Sequence, residues 1–191
     1  MKIRYLTILK NTQRLIRRLT AIFIIGMIFS SHSMASLQPG GNMELTIQSS
    51  AFNNNGSIPT KYSCNGDNIS PPIHWKNIPA KTNSLVLIVD DPDAPMGVWD
   101  HWIIFNIPKT TTQFSENLTA LPTGAQYGKN SWGKLSYGGP CPPSGEHRYI
   151  FTLYALDTLL DLSQGADKTQ IENAMQGHIL ATAKLMGKYK K

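Results

Sequence analysis

Three apolar stretches constrain the fold most. Residues 84–89 (SLVLIV) and 101–107 (HWIIFNI, bounded by Pro108) are continuous runs rich in branched and aromatic side chains. They are too short for ordinary helices, and they predict central strands buried on both faces. A third stretch, 148–156 (RYIFTLYAL), alternates. It puts Tyr149, Phe151 and Leu153 on one face and Ile150, Thr152 and Tyr154 on the other, as a strand does. Residues 44–48 (ELTIQ) alternate in the manner of a half-buried strand. Pro, Gly and Asn punctuate the rest, which favours strands joined by ordered loops. The tail reads differently. Asp167 with Gln170 three residues on forms a capping-box pattern, and Ile171, Met175, Ile179 and Met186 follow at roughly helical spacing. The prediction is a mostly β (α+β) domain with a C-terminal helix packed on it.

Charge distribution narrows the partners. The net charge of +6 would ordinarily raise nucleic acid or an anionic membrane as a target. Six cations, Lys2, Arg4, Lys10, Arg14, Arg17 and Arg18, lie in residues 1–35 with no acid among them, leaving 12 cations against all 12 acids in residues 36–191. The basic balance therefore belongs to the N-terminus, and no nucleic-acid surface is expected. An apolar run from Leu19 to Phe29 follows, shorter than the ~20 residues of a membrane span. It ends in SSHSMAS, where Ser33, Met34 and Ala35 supply a small-x-small cleavage site. The expectation is a signal peptide over 1–35, a single domain over 36–191 without a transmembrane segment after cleavage, and an exported product, periplasmic or secreted. A retained tether is the alternative.

Export gives meaning to the two cysteines. Cys64 and Cys141 are the only ones, and an even count in an oxidising compartment favours one disulfide between their loops. Free buried thiols are the alternative, and the wide spacing lacks the close pairs of zinc sites.

Two polar segments interrupt the strand pattern. Asp90, Asp91, Pro92, Asp93, Ala94 and Pro95 place three carboxylates at a strand end stiffened by two prolines, with Trp99 and His101 just beyond. An ordinary turn gives such residues too, but rigid loops at strand ends are where sites concentrate. The second segment, YGGPCPPSGEHRY over 137–149, combines glycines that let backbone approach a ligand with prolines that fix the loop. A plain Gly-Pro loop before a strand, with His147 a satisfied histidine and Tyr149 a core aromatic, fits the spacing equally well.

Together DPDAP at 91–95, Trp99, His101 and GGPCPPSGEHRY at 138–149 resemble the two signature segments of phosphatidylethanolamine-binding (Raf kinase inhibitor-like) proteins. The resemblance runs from about residue 43 to the C-terminus, and CNGDNISPPIHW at 64–75 is similar to the bacterial branch. It implies an antiparallel β-sandwich with Greek-key connections and peripheral helices. It also implies a pocket for a small anion, such as phosphate, acetate or a phospholipid head group. The matching positions are Asp91, Asp93, Pro95, Trp99, His101, Gly139, Pro140, His147 and Tyr149. The chain departs from the eukaryotic pattern at Asp100, where a second histidine is often found, and at Cys141, where proline is usual.

Two carboxylates beside a phosphate are unfavourable, since unit charges 4 Å apart interact by about 4 kcal/mol at an effective dielectric near 20. One Asp is therefore expected to orient an imidazole or to meet an ammonium, which favours a zwitterionic head group. His101 and His147 are expected to donate to its oxygens. No cofactor and no metal are called for. A metal-assisted ester or phosphoester hydrolase is the rival reading, but GxSxG and HExxH are missing. A protein-binding inhibitor is a third, with no partner specified, and both monomer and homodimer remain open. His178 is read as a core-edge histidine of the tail helix.

Overall fold

The structure, a computed structural model, describes residues 43–191. The signal-peptide reading and residues 36–42 lie outside the described residues. The described residues form β1 (Thr46–Ser49), β2 (Gly56–Ser57), β3 (Ile73–Lys76), β4 (Ser84–Asp91), β5 (Trp99–Pro108), β6 (Gln113–Phe114), β7 (Gln126–Tyr127), β8 (Glu146–Leu156), one α-helix, α1 (Lys168–Met175), and β9 (Ile179–Lys190). A three-stranded sheet has the order β1-β3-β6, and a six-stranded sheet the order β2-β9-β8-β4-β5-β7. All pairings are antiparallel except the short β2–β9 contact. Because β8 returns to lie between β4 and β9, the large sheet is closed by crossovers of the Greek-key kind rather than by successive hairpins.

The apolar runs are continuous because the large sheet is covered on both sides. One cluster joins Ile47, Ile73, Trp75 and Phe114 of the small sheet to Leu85, Leu87, Val89, Phe151 and Leu153 of the large one. On the opposite face Val86, Ile88, Ile103 and Phe105 pack against Ile171 and Met175 of α1. Each such side chain contributes about 1.5–3 kcal/mol on full burial.

The tail departs from its predicted helix. Asp167 and Gln170 do form a reciprocal capping box. The helix stops at Met175, however, and Gly177 follows with φ +81°, a left-handed turn that glycine adopts without strain. Beyond it Ala183, Leu185, Gly187 and Tyr189 alternate inward in β9, which pairs with β8 along almost its whole length. Ile179 and Met186 therefore belong to a strand, and the two-residue period there outweighs an apparent four-residue spacing. His178 sits in the α1–β9 turn. It is half-exposed and bonded to Asp157 at 2.8 Å, not at a core edge. Among the described residues no helix is long and apolar enough to cross a membrane.

Candidate functional site

Neighbouring strands deliver the polar residues to one end of the large sheet. Asp91 closes β4, Trp99 opens β5 directly opposite it, and His147 lies at the start of β8. The Asp91 carboxylate is buried and doubly engaged. Its Oδ1 accepts the Asp93 N–H at 2.8 Å, and its Oδ2 accepts Nδ1–H of His147 at 2.8 Å. A charge-assisted bond of this kind fixes the imidazole tautomer and leaves Nε2 as the only free polar atom of the ring.

His101 is prepared in the same way by a different partner. Its Nδ1–H donates to the Gly138 carbonyl at 2.7 Å, so Nε2 is again the free atom. The ring is 3 % exposed and meets Trp132 and Tyr149 edge-on, with centroids 4.9 and 5.1 Å away. Burial pushes the His101 imidazole below its ordinary pKa, outweighing the Gly138 hydrogen bond and the Asp91 charge that raise it. The ring is therefore a neutral acceptor at Nε2 near pH 7.

Both rings line a cavity of about 320 Å³. Asp91, Ala94, Pro95, Met96, Trp99, Trp132, Cys141 and Pro143 complete its wall. Trp99 and Trp132 stack edge-to-face at 5.5 Å, and among the described residues no Lys or Arg is on the wall. A larger groove of about 700 Å³ runs between β1 and β9, but no histidine lines it. The smaller cavity is where titratable groups converge, which makes it the site candidate. Among the described residues no three His, Cys, Asp or Glu side chains are grouped as metal ligands.

Five of the nine residues singled out in the sequence reach this wall: Asp91, Pro95, Trp99, His101 and His147. The other four support it. Asp93 turns to Arg148, accepting from its backbone N–H and from Nε and Nη2 at 2.9, 2.8 and 2.6 Å. That guanidinium holds the Asp93 carboxyl down at about 2. Tyr149 stands behind His101, its hydroxyl buried and without a hydrogen-bond partner. Burial first, and then the charge of Asp91, push the phenol above its usual value. Gly139 and Pro140 anchor the loop from beneath. The Gly139 N–H donates to Asn68 Oδ1 at 2.7 Å, and the Pro140 carbonyl accepts the Cys64 N–H at 3.0 Å. Cys64 and Cys141 are joined by a disulfide with their Cα atoms 5.4 Å apart, so the two loops are tied covalently as well.

Trp132 and Met96 were missed in the sequence. Trp132 had a signal, a tryptophan in the otherwise polar stretch GKNSWGK. Its loop is tied to β5 by Asp100 N–H to Ser131 Oγ at 2.8 Å, Ser131 N–H to the Asp100 carbonyl at 3.0 Å, and Gly138 N–H to the His101 carbonyl at 2.9 Å.

Relatives share this architecture. Residues 48–190 match the family model described as phosphatidylethanolamine-binding protein. A UPF0098 protein of Methanothermobacter thermautotrophicus is 53 % identical over 150 residues, covering 77 % of this chain and 99 % of that protein. The crystal structure of a phosphatidylethanolamine-binding protein homologue from Chlamydia trachomatis superposes with a TM-score of 0.74 at 43 % identity, covering 79 % of this chain and 99 % of that one. YbcL of E. coli, described as a member of the mammalian PEBP family, gives 0.73 at 31 % identity, covering 78 % and 99 %. The chain belongs to the phosphatidylethanolamine-binding protein family.

Proposed function

We propose that the cavity binds a small anion, or the anionic head group of a larger molecule, between Nε2 of His101 and Nε2 of His147, with Trp99 and Trp132 as its apolar wall. The observation that carries this reading is that both imidazoles on one wall have Nδ1 committed, to Gly138 and to Asp91, so that each has one nitrogen left for a ligand. The carboxylates are already partnered by His147 and Arg148, so a cationic part of the ligand would meet the faces of Trp99 and Trp132 rather than an Asp. The reading extends to an exported protein, periplasmic or secreted, and its support is the disulfide, a bond kept in oxidising compartments.

Titration calorimetry of the chain without residues 1–35, using phosphoethanolamine, inorganic phosphate and acetate, tests this. Saturable binding that His147→Ala weakens at least tenfold is expected. A folded protein that binds none of the three would overturn it. The Asp91–His147 pair also has the form of an acid–base dyad, which favours ester hydrolysis as a second reading. Turnover of a p-nitrophenyl ester that disappears in His147→Ala would establish that reading instead.

A further inference from the structure

On the face of the large sheet opposite the cavity, α1 lays Lys168 across two aspartates. Lys168 Nζ is 2.6 Å from Asp90 Oδ2 and 3.2 Å from Asp100 Oδ1, and the three side chains are 17–20 % exposed. Asp90 and Asp100 are directly paired across β4 and β5. Like charges in that position push strands apart. Burial raises the Asp100 pKa against the pull of Lys168, while the two carboxylates overcome the burial of Lys168 and hold its ammonium charged.

The backbone between these residues is irregular. Val89 pairs with Trp102 and Asp90 with Asp100, so β5 carries one extra residue there, and that residue is His101. A bulge of this kind re-aims the side chain at its centre, and the aim depends on the flanking pairs staying in register. Asp90 and Asp100 form the flanking pair, and each precedes a residue of the cavity wall, Asp91 and His101.

We propose that Lys168 is a positioning residue of the ligand site. By neutralising Asp90 and Asp100 it keeps the bulge closed, and the closed bulge sets the His101 ring toward the Gly138 carbonyl with Nε2 free for a ligand. The proposal rests on the anion-binding reading for its functional consequence, but the setting of His101 is measurable without any ligand.

The experiment compares wild type, Lys168→Met, Lys168→Arg and the double variant Lys168→Met/Asp100→Asn. For each, nitrogen NMR of the His101 ring reads the tautomer, and phosphate affinity is measured in parallel. Lys168→Met is expected to lose the single Nδ1–H tautomer signature and to bind phosphate about tenfold more weakly. Lys168→Arg should retain both properties. The double variant should recover both, because removing one like charge makes the clamp unnecessary. An unchanged His101 spectrum in a folded Lys168→Met protein overturns the proposal, as does a loss that Asp100→Asn fails to recover. Should Lys168→Met not fold, a normal His101 spectrum in Lys168→Arg/Asp100→Asn alongside a disturbed one in Lys168→Gln decides for it, and identical spectra decide against it. If wild type binds none of phosphate, phosphoethanolamine and acetate, the anion-binding reading fails while the tautomer comparison still judges the role of Lys168.

Discussion

An anion entering the cavity meets the unprotonated Nε2 of His101, whose lone pair repels it, so binding should carry a proton into the protein. The size of the effect follows from the geometry. The ring is almost wholly buried, no Lys or Arg among the described residues shares the wall, and its pKa lies below the ordinary value of about 6.5. An imidazolium about 4 Å from an anion gains about 4 kcal/mol at an effective dielectric near 20. That energy favours the charged ring and raises the His101 pKa in the complex above its value in the free protein. Between the free and bound values the protein takes up one proton per anion, and affinity falls about tenfold for each unit that pH rises. The charges of Asp91 and Asp100 also favour the charged form of the ring, while Asp93 stays ionised through its bond to Arg148. Dimethyl phosphate is the suitable probe, because its single charge does not change near neutrality. Calorimetry at several pH values, in two buffers with different heats of protonation, should show net proton uptake on anion binding, with His101→Gln reducing it. A dissociation constant that is flat from pH 6 to 8, with heats that do not depend on buffer, would refute the argument.

Two predictions concern the loops beneath the site. A Cβ on Gly139 would lie 2.2 Å from the Tyr62 carbonyl oxygen and 2.6 Å from Asn68 Oδ1, so Gly139→Ala should cost about 1–3 kcal/mol of stability, read as a lower urea midpoint at unchanged slope; an unshifted midpoint would mean that the loops have slack. Cys64 and Cys141 are 77 residues apart, and the chain-entropy relation assigns such a bridge about 4.5 kcal/mol. The double serine variant should lose much of that in the same urea assay. It should keep the anion affinity, because the Cys64 N–H to Pro140 and Gly139 N–H to Asn68 bonds still join the loops. Equal midpoints for both proteins, or loss of binding in a folded variant, would contradict this.

What the sequence made legible was local. SLVLIV and HWIIFNI read as buried strands because their composition leaves few other options, and the Asp167–Gln170 box marked the start of α1 because its geometry is confined to one turn. The helix end was misread because Ile171, Met175 and Ile179 share a four-residue spacing, and only Gly177 and the alternation from Ala183 to Tyr189 reveal the change of period. At the site, residue types were legible but roles were not. Asp91 and Asp93 are two positions apart and chemically alike, yet one orients His147 and the other holds Arg148, a division set by strand register and not by composition. The bulge at His101 and the reach of Lys168 across 78 positions to Asp90 depend on pairings that no local pattern encodes.

Those long-range pairings leave the cavity without an unpartnered carboxylate. Every carboxylate near it has a cationic or hydrogen-bonding partner: Asp91 has His147, Asp93 has Arg148, and Asp90 with Asp100 have Lys168. What is left facing the cavity is two imidazole nitrogens, two indoles and a rim of proline and methionine. Among the described residues such a wall has no permanent countercharge for an anion, so on the proposed reading its selectivity would come from whether a ligand can be matched by a proton. On the proposed reading, ligands that bring their own donor, such as an ammonium or a protonated phosphate oxygen, would bind without that uptake, whereas a bare anion would bind as an imidazole of the wall gains a proton.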